Sequence, residues 1–331
     1  MGKILVCGSL ESETLEYLRA NADVTVAPDN SKETVIDLLR QGMEAIILRG
    51  YHITDEIIES APSLKVIARV AAGYNEINLD LCAKKKIFVC NSPGGNANAT
   101  AEMTIGFFFA LGRQIIPMHN DYVRGRFNTP GKTVLDQKKA YGYMGHELCG
   151  ATCGVLGYGR IGKLVVKKAI GLDMRVLVYD PFLFGKTELP EGAAWGETLE
   201  GMLPECDFIS LNLPATKDTK GMINRRTLSL MKPTAYLVNE ARGDIIVEED
   251  MAWALNNDII AGAALDCNEP EPLPFGHVYR ACKNVILTPH IGGYTAEAHV
   301  NLEMTSAKSA VEALRGEIPS NCVNLKELGL A

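Results

Sequence analysis

Three side chains far apart in the chain have types that could share one reaction. Arg242 follows the run YLVNEA, Glu271 lies just beyond AALDCNEP, and His290 follows VILTP. An imidazole beside a carboxylate suits reversible proton transfer to a carbonyl oxygen, and a planar guanidinium suits a two-point grip on a carboxylate. Taken singly, an arginine, glutamate or histidine in a loop is more often structural than catalytic. Here each ends or follows a strand-like run, and the carboxyl ends of parallel strands gather along one rim, so the three can meet.

A second chemical feature is ATCGVLGYGRIGKLVVKKAIGLDMRVLVYD, residues 151–180. An apolar run leads into Gly157-Tyr158-Gly159-Arg160-Ile161-Gly162, a GxGxxG turn. Apolar residues at helical spacing follow over 163–170, and a second strand over 175–179 ends in Asp180. Such a turn lets a pyrophosphate approach backbone amides at a helix N-terminus, and an acid ending the next strand binds ribose hydroxyls. The bare motif is weak, since an ordinary glycine-rich turn can match it. Strand, helix and acid all fall where the mechanism needs them, so a dinucleotide site is expected. Asp180 would repel a 2′-phosphate and Pro181 offers no positive charge to accept one, which points to NAD rather than NADP.

Elements must carry these groups. Residues 3–8, 23–27, 45–49, 65–70 and 87–91 are short strand-like runs alternating with helix-like stretches. Ser31 is placed to cap the helix KETVIDLLRQG. Such alternation argues for a parallel sheet covered on both faces. The loop after the first strand holds Glu11 and no phosphate-binding glycine turn, so this is not the nucleotide half. Two of its loops, at Arg49–His52 and 70–75, read as ligand surface. Arg49 and Arg69 could serve an anionic substrate or simply pair with nearby carboxylates.

The cluster NSPGGNANA marks a boundary. Residues 100–123 then read as one long apolar helix, bent or broken at Pro117, and 125–150 as an irregular lid or interface arm. Strand-like runs recur at 208–212, 235–239, 260–264 and 284–288, with helices at 217–231 and 249–256. With the two strands of the glycine-turn unit these make six, a complete doubly wound domain. A helix over 296–315 and the following EIPSNCVN can return to the first domain. The expected division is therefore a discontinuous substrate domain, 1–98 plus 297–331, and a dinucleotide domain, 99–296, with a cleft between them.

Composition narrows the class. With 331 residues, 47% hydrophobic and 22% charged, the chain has the content of a soluble two-domain protein. A net charge of −7 with scattered lysines and arginines gives no field for nucleic acid or an acidic membrane. The nine cysteines include no CxxC pair, which fits free thiols in a reducing compartment better than disulfides or a zinc site. No metal is expected. MGKILVCGSL enters a strand directly and does not read as a signal peptide, so a cytoplasmic location is expected.

The chain resembles the NAD-dependent D-isomer-specific 2-hydroxyacid dehydrogenases, a family that includes phosphoglycerate, D-lactate and glyoxylate or hydroxypyruvate enzymes. AAGYNEINLD, NSPGGNANATAE, GHELCGATCGVLGYGRIG, VNEARGDIIVEEDMAWAL, AGAALDCNEPEPLP and NVILTPHIGGYT carry the likeness over nearly the whole chain. It implies an α/β protein with two doubly wound parallel sheets, a Rossmann NAD-binding domain and a smaller flavodoxin-like substrate domain. It implies Arg242, Glu271 and His290 as the catalytic set. NAD contacts would come from Thr104, the glycine turn, Asp180, Leu213, Pro214, Thr219, Ala241, Asp266, His290, Gly292 and Gly293. Arg49, Ala72, Gly73, Asn96 and Arg242 would hold substrate, and the long helix with its arm would form a homodimer.

The loop Tyr74-Asn75-Glu76 and the length of 128–141 depart from the family pattern, which leaves the substrate open. Arg49 and Arg69 fall where phosphoglycerate dehydrogenases place phosphate-binding arginines, which suggests 3-phosphoglycerate. A glyoxylate, hydroxypyruvate or D-lactate type of reductase is the alternative. Glu271 argues against the formate dehydrogenases. A corepressor of the C-terminal-binding-protein type would share fold and triad and is a further reading.

Overall fold

A computed structural model of the chain describes every residue except Asn75, Tyr141 and Ala331, so Asn75 of the Tyr74–Glu76 loop and the last residue of the 128–141 segment lie outside the described residues. Two compact units emerge, Met1–Asn96 with Tyr294–Ala331, and Ala97–Gly293.

The first unit is a five-stranded parallel sheet in the order β2-β1-β3-β4-β5, from β1 (Lys3–Cys7), β2 (Asp23–Val26), β3 (Ala45–Leu48), β4 (Val66–Arg69) and β5 (Phe88–Cys90). This is the flavodoxin-like order. Alternation along the strands decides the two faces. Leu5, Ile46, Ile67 and Val89 pack on Val35 and Leu39 of α2 (Lys32–Arg40) and on Ile57 and Ile58 of α3 (Asp55–Glu59). Their neighbours Ile4, Val6, Ile47, Val66 and Ala68 face Ala307, Ala310 and Val311 of a long helix, Ala296–Leu314, and Leu18 of α1 (Ser12–Asn21). Ser31 caps α2, accepting from the Thr34 amide, and α4 (Leu79–Lys84) precedes β5.

Beyond the long helix, residues 321–324 run antiparallel along β5, the outermost strand. Val323 N–H donates to the Val89 carbonyl (2.8 Å) and Asn91 N–H to that of Asn321 (3.4 Å). The fully buried Asn324 side chain bonds both the amide of Val89 and the carbonyl of Ile87.

In the second unit seven parallel strands take the order β12-β11-β10-β9-β6-β7-β8. They are β6 (Thr152–Leu156), β7 (Arg175–Tyr179), β8 (Ala193–Trp195), β9 (Phe208–Leu211), β10 (Tyr236–Asn239), β11 (Gly262–Leu265) and β12 (Val285–Leu287). The chain winds outward from β6 in one direction to β8 and in the other from β9 to β12. Its switch point lies between β6 and β9, where ligands of doubly wound sheets bind. The sequence suggests six strands here; β8 escapes it because three residues, AAW, carry no β-branched side chain.

The helices of this unit are α5 (Ala97–Gly112), α6 (Ile115–Val123), α7 (Val134–Ala140), α8 (Arg160–Ile170), α9 (Leu199–Met202), α10 (Arg225–Leu228) and α11 (Glu248–Asn256); the long helix of the first unit is α12. Phe107 and Phe108 of α5 and Val165 and Val166 of α8 cover Val155, Val176 and Val238. Met251 and Leu255 of α11 cover Leu211, Leu237 and Leu265 on the other face. The apolar helix expected over 100–123 breaks before Pro117, at Gln114, whose φ of 51° ends α5. Pro117 then sits in the first turn of α6, where a missing N–H costs little. The expected helix over 217–231 is reduced to α10. Among the described residues no helix is long and apolar enough to cross a membrane.

Candidate active site

The loops after β10, β11 and β12 carry the three proposed catalytic residues. His290 follows β12 with a left-handed φ of 54°, and its amide donates to the Asp266 carbonyl (2.9 Å). Asp266, buried at the end of β11, fixes this loop through its side chain. It accepts from the amides of Ile291 and Gly292, each at 2.8 Å, and from the Thr288 hydroxyl at 2.6 Å. The imidazole thereby meets Glu271, Nδ1 to Oε2 at 2.8 Å, while the Asn268 amide holds the other carboxylate oxygen at 2.8 Å. An ionised carboxylate only accepts, so Nδ1 carries a proton and Nε2 is the nitrogen left to exchange one with a substrate. Both side chains are partly exposed, 48% and 37%, so a substrate can reach them.

Arg242 is exposed after β10. Its Nη1 donates to the Ala241 carbonyl (2.6 Å), and Asn239 anchors the turn by donating from Nδ2 to the Arg242 carbonyl (2.9 Å). The structure joins His290 to Glu271 directly. Among the described residues no hydrogen bond joins Arg242 to this dyad; the buried Cys267 thiol nearby is pushed up by burial, then by the Asp266 and Glu271 charges, with Arg242 opposing them. Cys267, Glu271 and His290 bring a donor atom each within 4.8 Å of one another. A thiol so strongly held in its protonated form is a neutral neighbour of the dyad.

The glycine turn fits a dinucleotide on its own geometry. A Cβ on Gly162 would lie 2.0 Å from the Gly157 carbonyl oxygen, and one on Gly157, at φ 93°, would lie 2.6 Å from that of Asn212. Both positions therefore exclude any side chain. Around Gly159 there is instead open space, in front of the N-terminus of α8, whose cap makes no side-chain hydrogen bond. Those amides and the helix dipole suit a pyrophosphate. Asp180 accepts from the amides of Tyr158 (2.9 Å), Phe182 (3.1 Å) and Leu183 (3.2 Å). A carboxylate has about four lone-pair positions, so one remains for a ribose hydroxyl, and a 2′-phosphate would sit against its charge.

The remaining expected cofactor residues take these places. Leu213 and Ala241 are buried, and Thr219 closes the turn after Pro214, its hydroxyl donating to the Pro214 carbonyl (2.6 Å). Gly292 is buried beside Asp266, Gly293 is half-buried, and Arg160 and Ile161 open α8. Thr104, on α5, hydrogen-bonds the Glu240 carboxyl.

Glu240 has no place in the expected set. Burial pushes its carboxyl up to about 8, against the pull of the Thr104 hydroxyl and with help from the Asp266 charge. This burial favours the protonated carboxyl, and its Oε1 is buried without a hydrogen-bond partner among the described residues. A Cβ on Gly292 would stand 2.5 Å from that oxygen. An orphaned polar atom here, two residues before Arg242, suits a polar ring substituent of a bound cofactor. Its signal in the sequence is an acid inside NEARG, directly after an apolar strand.

In the first unit both arginines are engaged. Arg49 forms an ion pair with Glu303, which is fully buried, and contacts His299 Nδ1 at 3.0 Å. The Glu303 carboxylate also accepts from the Glu11 amide (2.7 Å). Arg69 pairs with Glu76 (2.7 Å) and donates to the Tyr51 carbonyl (2.7 Å). The Ala72 carbonyl accepts from Asn91 (2.7 Å), Gly73 has open space beside it, and Asn96 is half-buried.

Comparison with known proteins places the chain in a family. Residues 105–292 match the model of the D-isomer specific 2-hydroxyacid dehydrogenase, NAD binding domain. The chain belongs to the D-isomer specific 2-hydroxyacid dehydrogenase family. It is accordingly an NAD-linked oxidoreductase acting on a 2-hydroxyacid and 2-keto acid pair.

It is 32% identical over 329 residues to a glyoxylate reductase of Thermococcus gammatolerans, covering 97% of this chain and 96% of that protein. It is 34% identical over 328 residues to a D-3-phosphoglycerate dehydrogenase of Methanocaldococcus jannaschii, covering 99% of this chain and 60% of that one. Among solved structures, a D-lactate dehydrogenase from Treponema pallidum superposes with a TM-score of 0.82 at 28% identity, covering 97% of this chain and 99% of the other.

Proposed function

We propose that the chain interconverts a short, unphosphorylated 2-keto acid, of glyoxylate or hydroxypyruvate size, with its 2-hydroxyacid. The observation that carries this reading is the pairing of Arg49 with buried Glu303 and of Arg69 with Glu76. A phosphate needs cations whose charge is not already spent. Releasing Arg49 would strand a buried carboxylate, at about 3–5 kcal/mol. The family resemblance makes 3-phosphoglycerate a candidate, and the arginines that suggest it are the ones found paired. Two of the similar proteins bracket the choice, a glyoxylate reductase and a phosphoglycerate dehydrogenase.

In this reading Arg242 grips the substrate carboxylate, with Ala72, Gly73 and Asn96 as further contacts. Bound NAD(H) supplies or takes the hydride. His290 Nε2 gives the carbonyl oxygen its proton in reduction and removes it in oxidation, and Glu271 orients the ring and supports its charge. A panel of glyoxylate, hydroxypyruvate, pyruvate and 3-phosphohydroxypyruvate decides the matter by kcat/KM. The unphosphorylated acids are expected to lead, and a lead for the phosphorylated one would overturn the assignment. Arg49→Ala is expected to lower Tm, through the stranded Glu303, before it changes discrimination between phosphorylated and plain substrates.

We further propose a homodimer formed through the second unit. Ile115, Tyr122 and Val123 of α6 and Leu135 of α7 are exposed apolar side chains. A cavity of about 440 Å³ between Leu111, Ile116, Pro117, Tyr236 and Ile260 lies alongside. Ile115 and Tyr122 stand seven residues apart on one face of α6, and exposed apolar surface on a helix face marks association sites. Light scattering at micromolar concentration should give twice the chain mass of 35.9 kDa; a monomer there rules the proposal out.

A further inference from the structure

Nothing in the hydride chemistry uses Cys90 and Cys322, yet the fold sets them opposite each other. Cys90 is the last residue of β5, and it pairs with Cys322 in an isolated antiparallel bridge. The flanking hydrogen bonds define the kind of pair. Asn91 N–H donates to the Asn321 carbonyl and Val323 N–H to the Val89 carbonyl, so the bonds lie on either side of the two cysteines and not between them. This is the non-hydrogen-bonded position of an antiparallel ladder. There the Cα atoms stand about 4.5 Å apart with side chains on the same face and close together, inside the range a disulfide spans. The Cys322 thiol donates to the Asn324 Oδ1 at 3.1 Å, and the Cys90 and Cys322 thiols each perturb the other's titration.

We propose that Cys90 and Cys322 are a redox-active dithiol that closes to a disulfide on exposure to a hydroperoxide, tying residues 321–324 covalently to β5. The two thiols are unequal in the way such a reaction needs. Cys90 is fully buried, and the Cys322 thiol beside it, together with burial, raises it and holds it protonated. Cys322 is half-buried. The neighbouring Cys90 thiol, then the Asn324 and Val89 amides, draw it below the usual thiol range against its partial burial.

Cys322, the thiol of the pair that a peroxide can reach, is therefore the nucleophile. Its thiolate attacks the hydroperoxide, the O–O bond breaks, and the leaving oxygen departs as hydroxide or alkoxide while sulfur becomes a sulfenic acid. The Cys90 thiol then attacks that sulfur, the S–O bond breaks, and water leaves as the disulfide forms. Two electrons pass to the peroxide, and a dithiol reductant returns them. By contrast, burial raises Cys7, Cys82 and Cys206 to about 12, which leaves them unreactive.

The test is made on full-length protein carrying Cys149→Ser, which removes the exposed thiol. Protein treated with equimolar hydrogen peroxide is alkylated under denaturing conditions, digested without reduction and analysed by mass spectrometry. The expected product is a linked pair of peptides holding Cys90 and Cys322, lighter by two hydrogens than their sum and separated by dithiothreitol. Cys90→Ala should leave Cys322 as a sulfenic acid that dimedone traps. Cys322→Ser should leave Cys90 as a free thiol. Alkylation of both cysteines after peroxide, or oxidation of Cys322 to sulfinic acid in the otherwise intact pair with no link to Cys90, overturns the proposal. The intact pair is read without either variant, so a poorly folding variant does not decide the outcome.

Discussion

Replacing His290 with alanine is expected to lower kcat by about a hundred- to ten-thousandfold, the usual loss when a general acid is removed, with a far smaller change in KM. The dyad gives this residue the proton-transfer role without a share in gripping the substrate, since the neighbouring Arg242 has the charge for that. A companion variant separates orientation from charge. In Glu271→Gln the side-chain oxygen can still accept from Nδ1, but the negative charge 2.8 Å from the ring is gone. Turnover in both directions should therefore fall, by less than in His290→Ala, with KM little changed. Steady-state kcat and KM in both directions read this out. Near-normal turnover in His290→Ala would show that the proton travels elsewhere.

The second large effect belongs to a residue with no chemistry of its own. A methyl group on Gly243 would lie 2.2 Å from the Asn268 carbonyl carbon, 2.4 Å from the Glu269 nitrogen and 2.5 Å from the Asn268 oxygen. All three are backbone atoms, so no side-chain rotation relieves the contact. One of the loops forced apart carries Arg242, and the other carries Glu271 through the Asn268 amide. Misplacement by about 1 Å can cost roughly a hundredfold in rate, and Gly243→Ala should lose at least about that in kcat/KM. Overpacking should also cost about 1–3 kcal/mol of stability. Ala241 and Asp266, expected NAD contacts on the same two loops, should move with them, so the NADH dissociation constant should rise as well. A variant with full activity would mean the loops have slack that the close approach does not suggest.

What could be read from the sequence follows a physical boundary. Parallel strands announce themselves by short β-branched runs, and groups at their carboxyl ends must share a rim, so the meeting of Glu271 with His290 was legible across separate segments. The glycine turn was legible because phosphate binding demands bare backbone at fixed positions. Contacts between distant side chains were not. Glu303 reaches Arg49 from the middle of α12, and no periodicity reports that an acid on a helix faces inward to meet an arginine. Glu240 reads as one more loop acid until burial favours its protonated form. Short elements failed for a related reason: β8 is set by its neighbour β7 more than by its own residues, and the break at Gln114 depends on how α5 and α6 pack, while Pro117 only looks like the cause.

The run of residues 321–324 along β5 has a colloidal consequence. A parallel sheet ends in a strand with unpaired amides and carbonyls, and such an edge can template pairing with another chain. On β5 that edge is occupied: Val89 is bonded on both its amide and carbonyl, and Asn324 reaches back to Ile87. Peeling four residues away would uncover Val89 and Cys90 as a sticky rim while leaving every catalytic group in place. The same short segment thus guards the folded protein against self-association, and a chain clipped before it would be lost to aggregation before it was lost to inactivity.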